Sequence, residues 1–285
     1  MISKLQFENE LDLIIANAVR EDVGDGDHSS LACIPSSAQG KAKLLVKDTG
    51  VLAGVAFAKR VFTYVDPDLK MEILLEDGAK VNHEDIAFYV EGASQSILKA
   101  ERLVLNAMQR MSAIATKTAK YVKLLEGTGT KILDTRKTTP GIRALEKWAV
   151  KIGGGENHRF ALYDMIMLKD NHIDFAGGIP QAIQKTKDYL KTTKKDLKII
   201  VEARDLNEVQ TILDCGGVHR ILLDNFNYQE SKRAVALIGD QCQTESSGGI
   251  DESTIRLYAE CGVDYISSGA LTHSVSNLDL SLKAL

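Results

Sequence analysis

The sequence predicts an α/β protein: an N-terminal α+β region followed by repeated strand-helix units that form a barrel. Three observations carry this prediction. From Lys131 onward, strand-like runs ("KILDT", "MIMLKD", "KIIVEA", "RILLDN", "CQTESSGG", "DYISSGA") alternate with helix-like segments. The runs are largely apolar, which marks parallel strands covered by helices. Each run also ends in polar or charged residues, at Asp134 to Lys137, Lys169 to His172, Glu202, Asp224 and Asn225, Glu245 to Gly248, and Ser267 to Gly269. In a barrel such ends converge on one face, where barrel enzymes keep their chemistry; an open doubly wound sheet would gather them at one or two crevices. Their spread over every strand end favours the barrel.

Taken in order, "FENELDLIIANAVRED" sets Leu11, Ile14, Ile15 and Ala18 at helical spacing. Short strand-like runs follow, "KAKLLVKD", "GVLAGVAF", "MEILLEDG" and "DIAFYVEG", each bounded by Gly, Asp or Pro. "SILKAERLVLNAMQRMSAIATKTAKYVKLLEG" then reads as a long helix with room for one break, closing this region near Gly127. After the first barrel strand, "TTPGIRALEKWAV" reads as a helix start with Thr139 as N-cap and Pro140 at the first position, and "GGGENHR" as a flexible turn. The later intervals hold "IPQAIQKTKDYLK", "LNEVQTILDCG", "SKRAVALIG" and "ESTIRLYAECG", all helix-like.

Composition narrows the function classes. The chain has 285 residues, a formal net charge of −4 and 44% hydrophobic residues, enough for a sizeable core in one large domain or two moderate ones. Mild acidity argues against nucleic-acid or membrane-surface partners, which need a basic face. No window approaches the roughly 18 uninterrupted apolar residues of a spanning helix, and acids run through the apolar part of "MISKLQFENELDLIIANAVRED", unlike a signal peptide. A cytoplasmic protein is expected. Cys33, Cys215, Cys242 and Cys261 lack zinc-ligand spacing and read as buried, reduced thiols. "EDVGDGDHSS" lacks the glutamate that a calcium loop needs at its twelfth position and reads as a turn with an N-cap. His28, His83, His219 and Trp148 read as surface or packing residues.

The strand ends carry the candidate chemistry. "ESSGGID" and "ISSGALTHS" are Ser/Gly loops after the last two strands, where barrel proteins bind phosphate through backbone N–H groups and hydroxyls; one such loop alone would be a tight turn. Glu202 and Asp224 end two apolar strands beside those loops. Carboxylates there repel an anion unless a cation bridges them, which points to Mg²⁺; helix capping or ion pairing is the alternative. Arg136, Lys137, His158, Arg159 and Lys169 bring cations to the same face and suit a polyanionic ligand, with several phosphates or phosphates plus carboxylates. A solvated charged surface is the plainer reading, and it suits Arg143, Lys147 and Lys151 better. Lys169 also admits Schiff-base chemistry with a carbonyl substrate.

"DTRKTTPGIRALEKWAVKIGGGENHR", "LYDMIMLKDNHI", "VEA", "LLDN", "SSGGI" and "SSGALTHSV", in that order and spacing, resemble the quinolinate phosphoribosyltransferase family, as do "EDVGDGDHSS" and "AERLVLNAMQRMS". The likeness spans nearly the whole chain. It implies transfer of a phosphoribosyl group from 5-phosphoribosyl 1-diphosphate to quinolinate with Mg²⁺, giving nicotinate mononucleotide, diphosphate and CO₂ for NAD biosynthesis. It also implies an N-terminal α/β sandwich over residues 1–127, joined by the tail 274–285, and an incomplete, TIM-like α/β barrel over 128–273. Members form dimers or larger homo-oligomers in which the N-terminal domain of one subunit covers the barrel mouth of its neighbour, so Arg102 would enter the neighbour's site. By the same resemblance Arg102, Arg136, His158 and Arg159 would hold the two carboxylates of quinolinate, with Thr135 among the substrate-binding residues. Lys137 and Lys169 would meet substrate or diphosphate. Glu202 and Asp224 would hold ribose hydroxyls and Mg²⁺; Ser246, Ser247, Gly248, Ser267, Ser268 and Gly269, joined by His273, would take the 5-phosphate. The rival readings are a transferase acting on nicotinate or in molybdenum transport, a Schiff-base aldolase, and a phosphate-binding regulatory barrel.

Overall fold

The computed structural model describes residues 3–285. In chain order it begins with α1 (Lys4–Val23), whose capping box at Ser3 and Gln6 starts the helix and whose Leu11, Ile14 and Ile15 are buried. Ala18, from the same predicted stripe, is half-buried. Asp27 caps α2 (His28–Cys33), as the turn reading expects. Next come β1 (Gln39–Val46), β2 (Gly50–Val51), α3 (Val55–Val65), β3 (Lys70–Ile73), β4 (Lys80–Val81), β5 (Ile86–Ala93) and α4 (Ser94–Leu124). "GVLAGVAF" is therefore not one strand: its second half enters α3, where the Asp77 carboxylate accepts the first backbone N–H groups. The long helix α4 is unbroken over 31 residues.

The repeat region continues with β6 (Lys131–Leu133), α5 (Arg143–Ile152), β7 (Ile166–Leu168), α6 (Asp170–Ala176), α7 (Ile179–Thr193), β8 (Ile199–Ala203), α8 (Leu206–Cys215), β9 (Arg220–Asp224), α9 (Tyr228–Ile238), β10 (Gln243–Ser247), α10 (Ile255–Ala259), β11 (Tyr265–Ser267), α11 (Ala270–His273) and β12 (Leu280–Ala284). Two compact units emerge. One holds Lys120–Arg136 and Glu156–Ala270; the other holds the described residues from Ser3 to Ala119, with Lys137–Gly155 and Leu271–Leu285.

The second of these is an α/β sandwich unit. Its antiparallel sheet runs β12-β1-β5-β3, with the C-terminal strand paired to β1 from Ala42↔Ala284 to Val46↔Leu280. Leu44, Val46, Phe88 and Val90 are buried with Phe57 and Phe62 of α3. The helix expected to start at Pro140 begins instead at Arg143, because Thr139 turns its amide and hydroxyl to the buried carboxylate of Glu146, at 3.0 and 2.8 Å. Arg110 donates to the same carboxylate at 3.0 and 2.9 Å, so the loop before α5 is pinned by charge. Lys147 is buried, contrary to the solvated reading. Trp148 packs edge-on against Phe7 at 5.5 Å, the packing role its sequence context suggests. The triple glycine is not a flexible turn. A Cβ on Gly153 would meet the Ala115 carbonyl at 2.4 Å, and one on Gly155 would meet Thr118 at 2.8 Å, so the absent side chains let this segment lie against α4.

The other unit is the partial barrel: a parallel six-stranded sheet in the order β6-β11-β10-β9-β8-β7. Its end strands do not pair with each other; Glu156 bridges to Leu133 on the β6 side. Register sorts the side chains by face, since neighbours across the ladder and residues two apart project together. One face carries Met167, Glu202, Arg220, Asp224, Glu245, Ser247, Tyr265 and Ser267. The other carries Ile132, Leu168, Val201, Ile221, Leu223 and Ile266, all buried. Only Cys261 of the four cysteines is buried; Cys33 is exposed and Cys215 and Cys242 are half-buried, all as free thiols, which corrects the expectation of four buried thiols. Among the described residues no helix is long and apolar enough to cross a membrane.

Candidate functional site

The barrel unit places most of the expected residues at the C-terminal ends of its strands. At the end of β6, Asp134 is fully buried. Its carboxylate accepts the His158 backbone N–H at 2.9 Å and the Asn157 side-chain amide, which sets the path of the chain where it re-enters the unit. Arg159 follows, 7% exposed, with Nη1 donating to the Met165 carbonyl at 3.1 Å. Burial lowers its pKa from the ordinary arginine value and the charge of Arg136 lowers it further, against weaker support from Asp164 and Glu202. Arg136 carries a buried Nε–H that meets no acceptor. Two guanidiniums thus lie near each other, and among the described residues neither has a carboxylate within ion-pair distance. Such an arrangement suits an incoming anion, because an unpaired buried N–H costs free energy that a ligand oxygen removes.

Lys169 ends β7 and donates from Nζ to Glu202 Oε1 at 2.6 Å. Glu202, 8% exposed, and Asp224, half-buried, share a sheet face two residues apart in register. Asn225, next to Asp224, sits at φ +57° and donates to the Asp224 carboxylate at 2.9 Å, while its backbone N–H goes to the Ser247 carbonyl. Gly248, at φ +102°, fits against Asn225 with no room for a side chain. The serines alternate. Ser247 and Ser267 share the face of Glu202 and Asp224, whereas Ser246 and Ser268 are buried on the apolar side, where Ser268 bonds the Tyr121 hydroxyl. The Ser268 backbone N–H is taken by the Leu133 carbonyl. Thr135 is half-buried after β6, and Gly269 closes the last loop.

Arg102, Lys137 and His273 belong to the sandwich unit. Arg102 is exposed on α4; the Lys137 carbonyl accepts from the Thr272 hydroxyl at 2.8 Å; His273 is exposed beside Ser274. For a metal, no three His, Cys, Asp or Glu side chains gather as ligands among the described residues. Glu202 and Asp224 are instead a two-carboxylate set. Such a set suits Mg²⁺ that keeps its waters and shares substrate oxygens, rather than an ion caged by protein alone.

Comparison with known proteins decides the family. The model "Quinolinate phosphoribosyl transferase, N-terminal domain" matches residues 27–112, and "Quinolinate phosphoribosyl transferase, C-terminal domain" matches residues 114–283. The chain belongs to the quinolinate phosphoribosyltransferase family. Its relatives in that family include the quinolinate phosphoribosyltransferase [decarboxylating] 1b of Nicotiana tabacum, 44% identical over 95% of this chain and 81% of the relative. The chloroplastic nicotinate-nucleotide pyrophosphorylase [carboxylating] of Oryza sativa subsp. japonica is 45% identical over 96% of this chain and 77% of its own. The crystal structure of NadC from Streptococcus pyogenes superposes with a TM-score of 0.89 at 38% identity, covering 100% of this chain and 99% of that one.

Sequence reasoning about this family member missed a charged cluster inside the barrel. Glu245, fully buried on β10, accepts from Arg220 Nη1 at 2.8 Å and lies 3.4 Å from His158 Nε2; Arg220 in turn stacks over Tyr265 at 3.9 Å. Burial pushes the Glu245 carboxyl up, but His158, Arg220 and Ser267 together outweigh it and hold the group at about 2. A signal was present. Arg220, Glu245 and Tyr265 are polar or amphipathic residues at one parity of three successive barrel strands, and aligned parity puts them on one face.

Proposed function

We propose that this member of the family transfers the phosphoribosyl group of 5-phosphoribosyl 1-diphosphate to quinolinate with decarboxylation, yielding nicotinate mononucleotide, diphosphate and CO₂, a step that makes pyridine nucleotide for NAD. The observation that carries the reading is the Arg136–Arg159 pair, two neighbouring guanidiniums without a protein counter-ion, matched to a ligand that brings two carboxylates. A monocarboxylate such as nicotinate would leave more of that charge unanswered. The names of the relatives, decarboxylating and carboxylating alike, agree with this choice.

In this reading the pyridine nitrogen attacks the ribosyl C1 as the C1–oxygen bond breaks and its electron pair leaves with diphosphate. Arg136 and Arg159 hold the ring by its carboxylates, so the nitrogen lone pair meets C1 without a search. Lys169, already hydrogen-bonded to Glu202, supplies positive charge where the leaving group gains negative charge. Glu202 and Asp224 would hold the ribose hydroxyls and Mg²⁺, which when bound neutralises diphosphate charge. The Ser247 and Ser267 hydroxyls and the Gly248 and Gly249 backbone would receive the 5-phosphate. Once alkylated, the ring nitrogen is positive, and the bond to the adjacent carboxylate breaks with its electrons drawn toward that charge; CO₂ leaves and water returns a proton to carbon. No protein nucleophile is required. A Schiff base at Lys169 is disfavoured, since its Nζ is already engaged by Glu202 at 2.6 Å.

Lys137, His273 and Thr135 enter this reading on the resemblance, and so does a homodimer or larger homo-oligomer in which Arg102 of one subunit completes the site of its neighbour. The cytoplasm is the proposed compartment. Free thiols at Cys33, Cys215, Cys242 and Cys261 suit a reducing one, while the rice relative, named chloroplastic, works elsewhere. The test is a mass-spectrometric assay with 5-phosphoribosyl 1-diphosphate and Mg²⁺, offering quinolinate and nicotinate in separate tubes. Nicotinate mononucleotide from the quinolinate tube alone supports the proposal; product only from nicotinate, or from neither, overturns it.

A further inference from the structure

We infer that the buried Glu146–Arg110 pair, together with Thr272, is a positioning device for Lys137: it holds the backbone on both sides of that lysine. The inference rests on the transferase reading, in which Lys137 meets the substrate or its diphosphate, and it adds three residues that act through Lys137. All of them lie in the sandwich unit. Residues 134–142 form neither helix nor strand, so no ladder or helical turn fixes the backbone at Lys137. Side chains take that place. The Thr272 hydroxyl donates to the Lys137 carbonyl at 2.8 Å. Two residues further on, the Thr139 amide donates to Glu146 Oε2 at 3.0 Å and its hydroxyl to Oε1 at 2.8 Å.

The holding groups are themselves held. Glu146 is fully buried in the first turn of α5, and Arg110 of α4 donates to its Oε1 from Nε at 3.0 Å and from Nη2 at 2.9 Å. The same Nη2 donates to the carbonyl of Thr272, which is also fully buried. Arg110 thus ties together the two residues that grip the loop. Pro140 adds stiffness, since it fixes its own φ and biases Thr139 toward extended backbone. A buried ion pair is a weak source of stability beside apolar packing of the same volume, so its two bonds to the loop give it another use. A lysine side chain is long and flexible, and where its amine can reach depends first on the backbone it leaves from. Misplacing a group at a reacting centre by about 1 Å costs about 100-fold in rate.

The experiment is a double-mutant cycle on the full-length protein with quinolinate, 5-phosphoribosyl 1-diphosphate and Mg²⁺. Thr272→Val removes the hydroxyl and keeps the shape, so kcat/KM should fall about tenfold; Thr272→Ser keeps the hydroxyl and should stay within about threefold of the unsubstituted protein. Glu146→Gln leaves Arg110 without its counter-charge and should lose about 100-fold. In a Lys137→Ala background Thr272→Val and Glu146→Gln should each cost less than about twofold, because the residue they act through is gone. A network that only stabilises the fold would make the losses multiply, and that result overturns the inference. Equal losses in Thr272→Ser and Thr272→Val overturn it as well. Lys137→Ala without loss of kcat/KM would sink the inference and leave the function reading standing. If Glu146→Gln fails to fold, the two Thr272 variants decide. Amide hydrogen exchange supplies an arm without turnover: residues 137–142 should exchange about tenfold faster or more in Thr272→Val, while β1 and β5 keep their protection. Unchanged exchange over 137–142 refutes the clamp. If the unsubstituted protein fails to turn over quinolinate, the function reading falls, and exchange alone decides whether this network holds the loop.

Discussion

Replacing Gly248 with alanine should destabilise the protein by about 3 kcal/mol and weaken 5-phosphoribosyl 1-diphosphate binding. Gly248 sits at φ +102°, a conformation that costs a residue with a Cβ about 1 to 2 kcal/mol. The new Cβ would lie 2.1 Å from Asn225 Oδ1, 2.6 Å from its Cγ and 3.0 Å from its backbone nitrogen. Asn225 must therefore turn away and lose its hydrogen bond to Asp224, worth about 1 kcal/mol. Its backbone cannot withdraw without opening the Asn225–Ser247 bond that ties β9 to β10. Gly249→Ala is the matched control. Its φ is +60°, but nothing lies within 4 Å of the added Cβ, so only about 1 kcal/mol of strain applies. Thermal unfolding should separate the two variants by about 5 °C. KM for 5-phosphoribosyl 1-diphosphate should rise more in Gly248→Ala, and adding Asn225→Gly should recover part of the stability. Equal melting temperatures, or no recovery in the double variant, would refute the clash argument.

In the proposed reading Arg136→Ala should abolish turnover while shifting the melting temperature little, because its Nε–H meets no acceptor in the protein; lost stability with activity kept would contradict this. Glu245 gives a pH dependence. Its folded pKa of about 2 lies below the ordinary 4.5, so its contribution, about 3 kcal/mol, is complete above pH 4.5 and is lost as pH falls toward 2. Acid unfolding of the unsubstituted protein and of Glu245→Gln should converge across that window, and parallel curves would sink the assignment. Mixing inactive Arg102→Ala with inactive Lys169→Ala subunits should restore some activity if sites are shared between subunits; no restoration after verified exchange counts against sharing.

The barrel was legible because its strands are apolar runs that end in charge. Asp134, Lys169, Glu202 and Asp224 announce strand ends by chemistry alone, and the structure ends its strands at or beside each of them. What stayed hidden was whatever depends on a partner far along the chain. Thr139 looks like a helix cap until Glu146, seven residues on and fully buried, claims its amide and hydroxyl. "GGGENHR" looks mobile until Ala115 and Thr118 come against it. The paired serines look equivalent, yet strand alternation sends Ser246 and Ser268 to the apolar side and leaves Ser247 and Ser267 with the carboxylates. Glu245 reads in the sequence only as one more polar strand end, because a carboxylate inside a strand declares its role only once Arg220 and His158 stand beside it.

The two kinds of charge in the barrel unit follow different rules. Glu245 is buried with Arg220 donating to one of its oxygens at 2.8 Å, so it moves only by breaking that pair. Arg136 and Arg159 stand near each other with an unmet N–H and no carboxylate at ion-pair distance. Such a pair lowers the stability of the protein without ligand, and the same repulsion becomes binding free energy when a dianion enters. Asp134 fixes the peptide of His158, and the His158 ring accepts the Arg159 amide, so the backbone that carries Arg159 is held in place. Preorganisation here is therefore electrostatic as well as geometric. In the proposed reading, the two carboxylates of the substrate meet the guanidiniums whose buried N–H finds no acceptor in the protein.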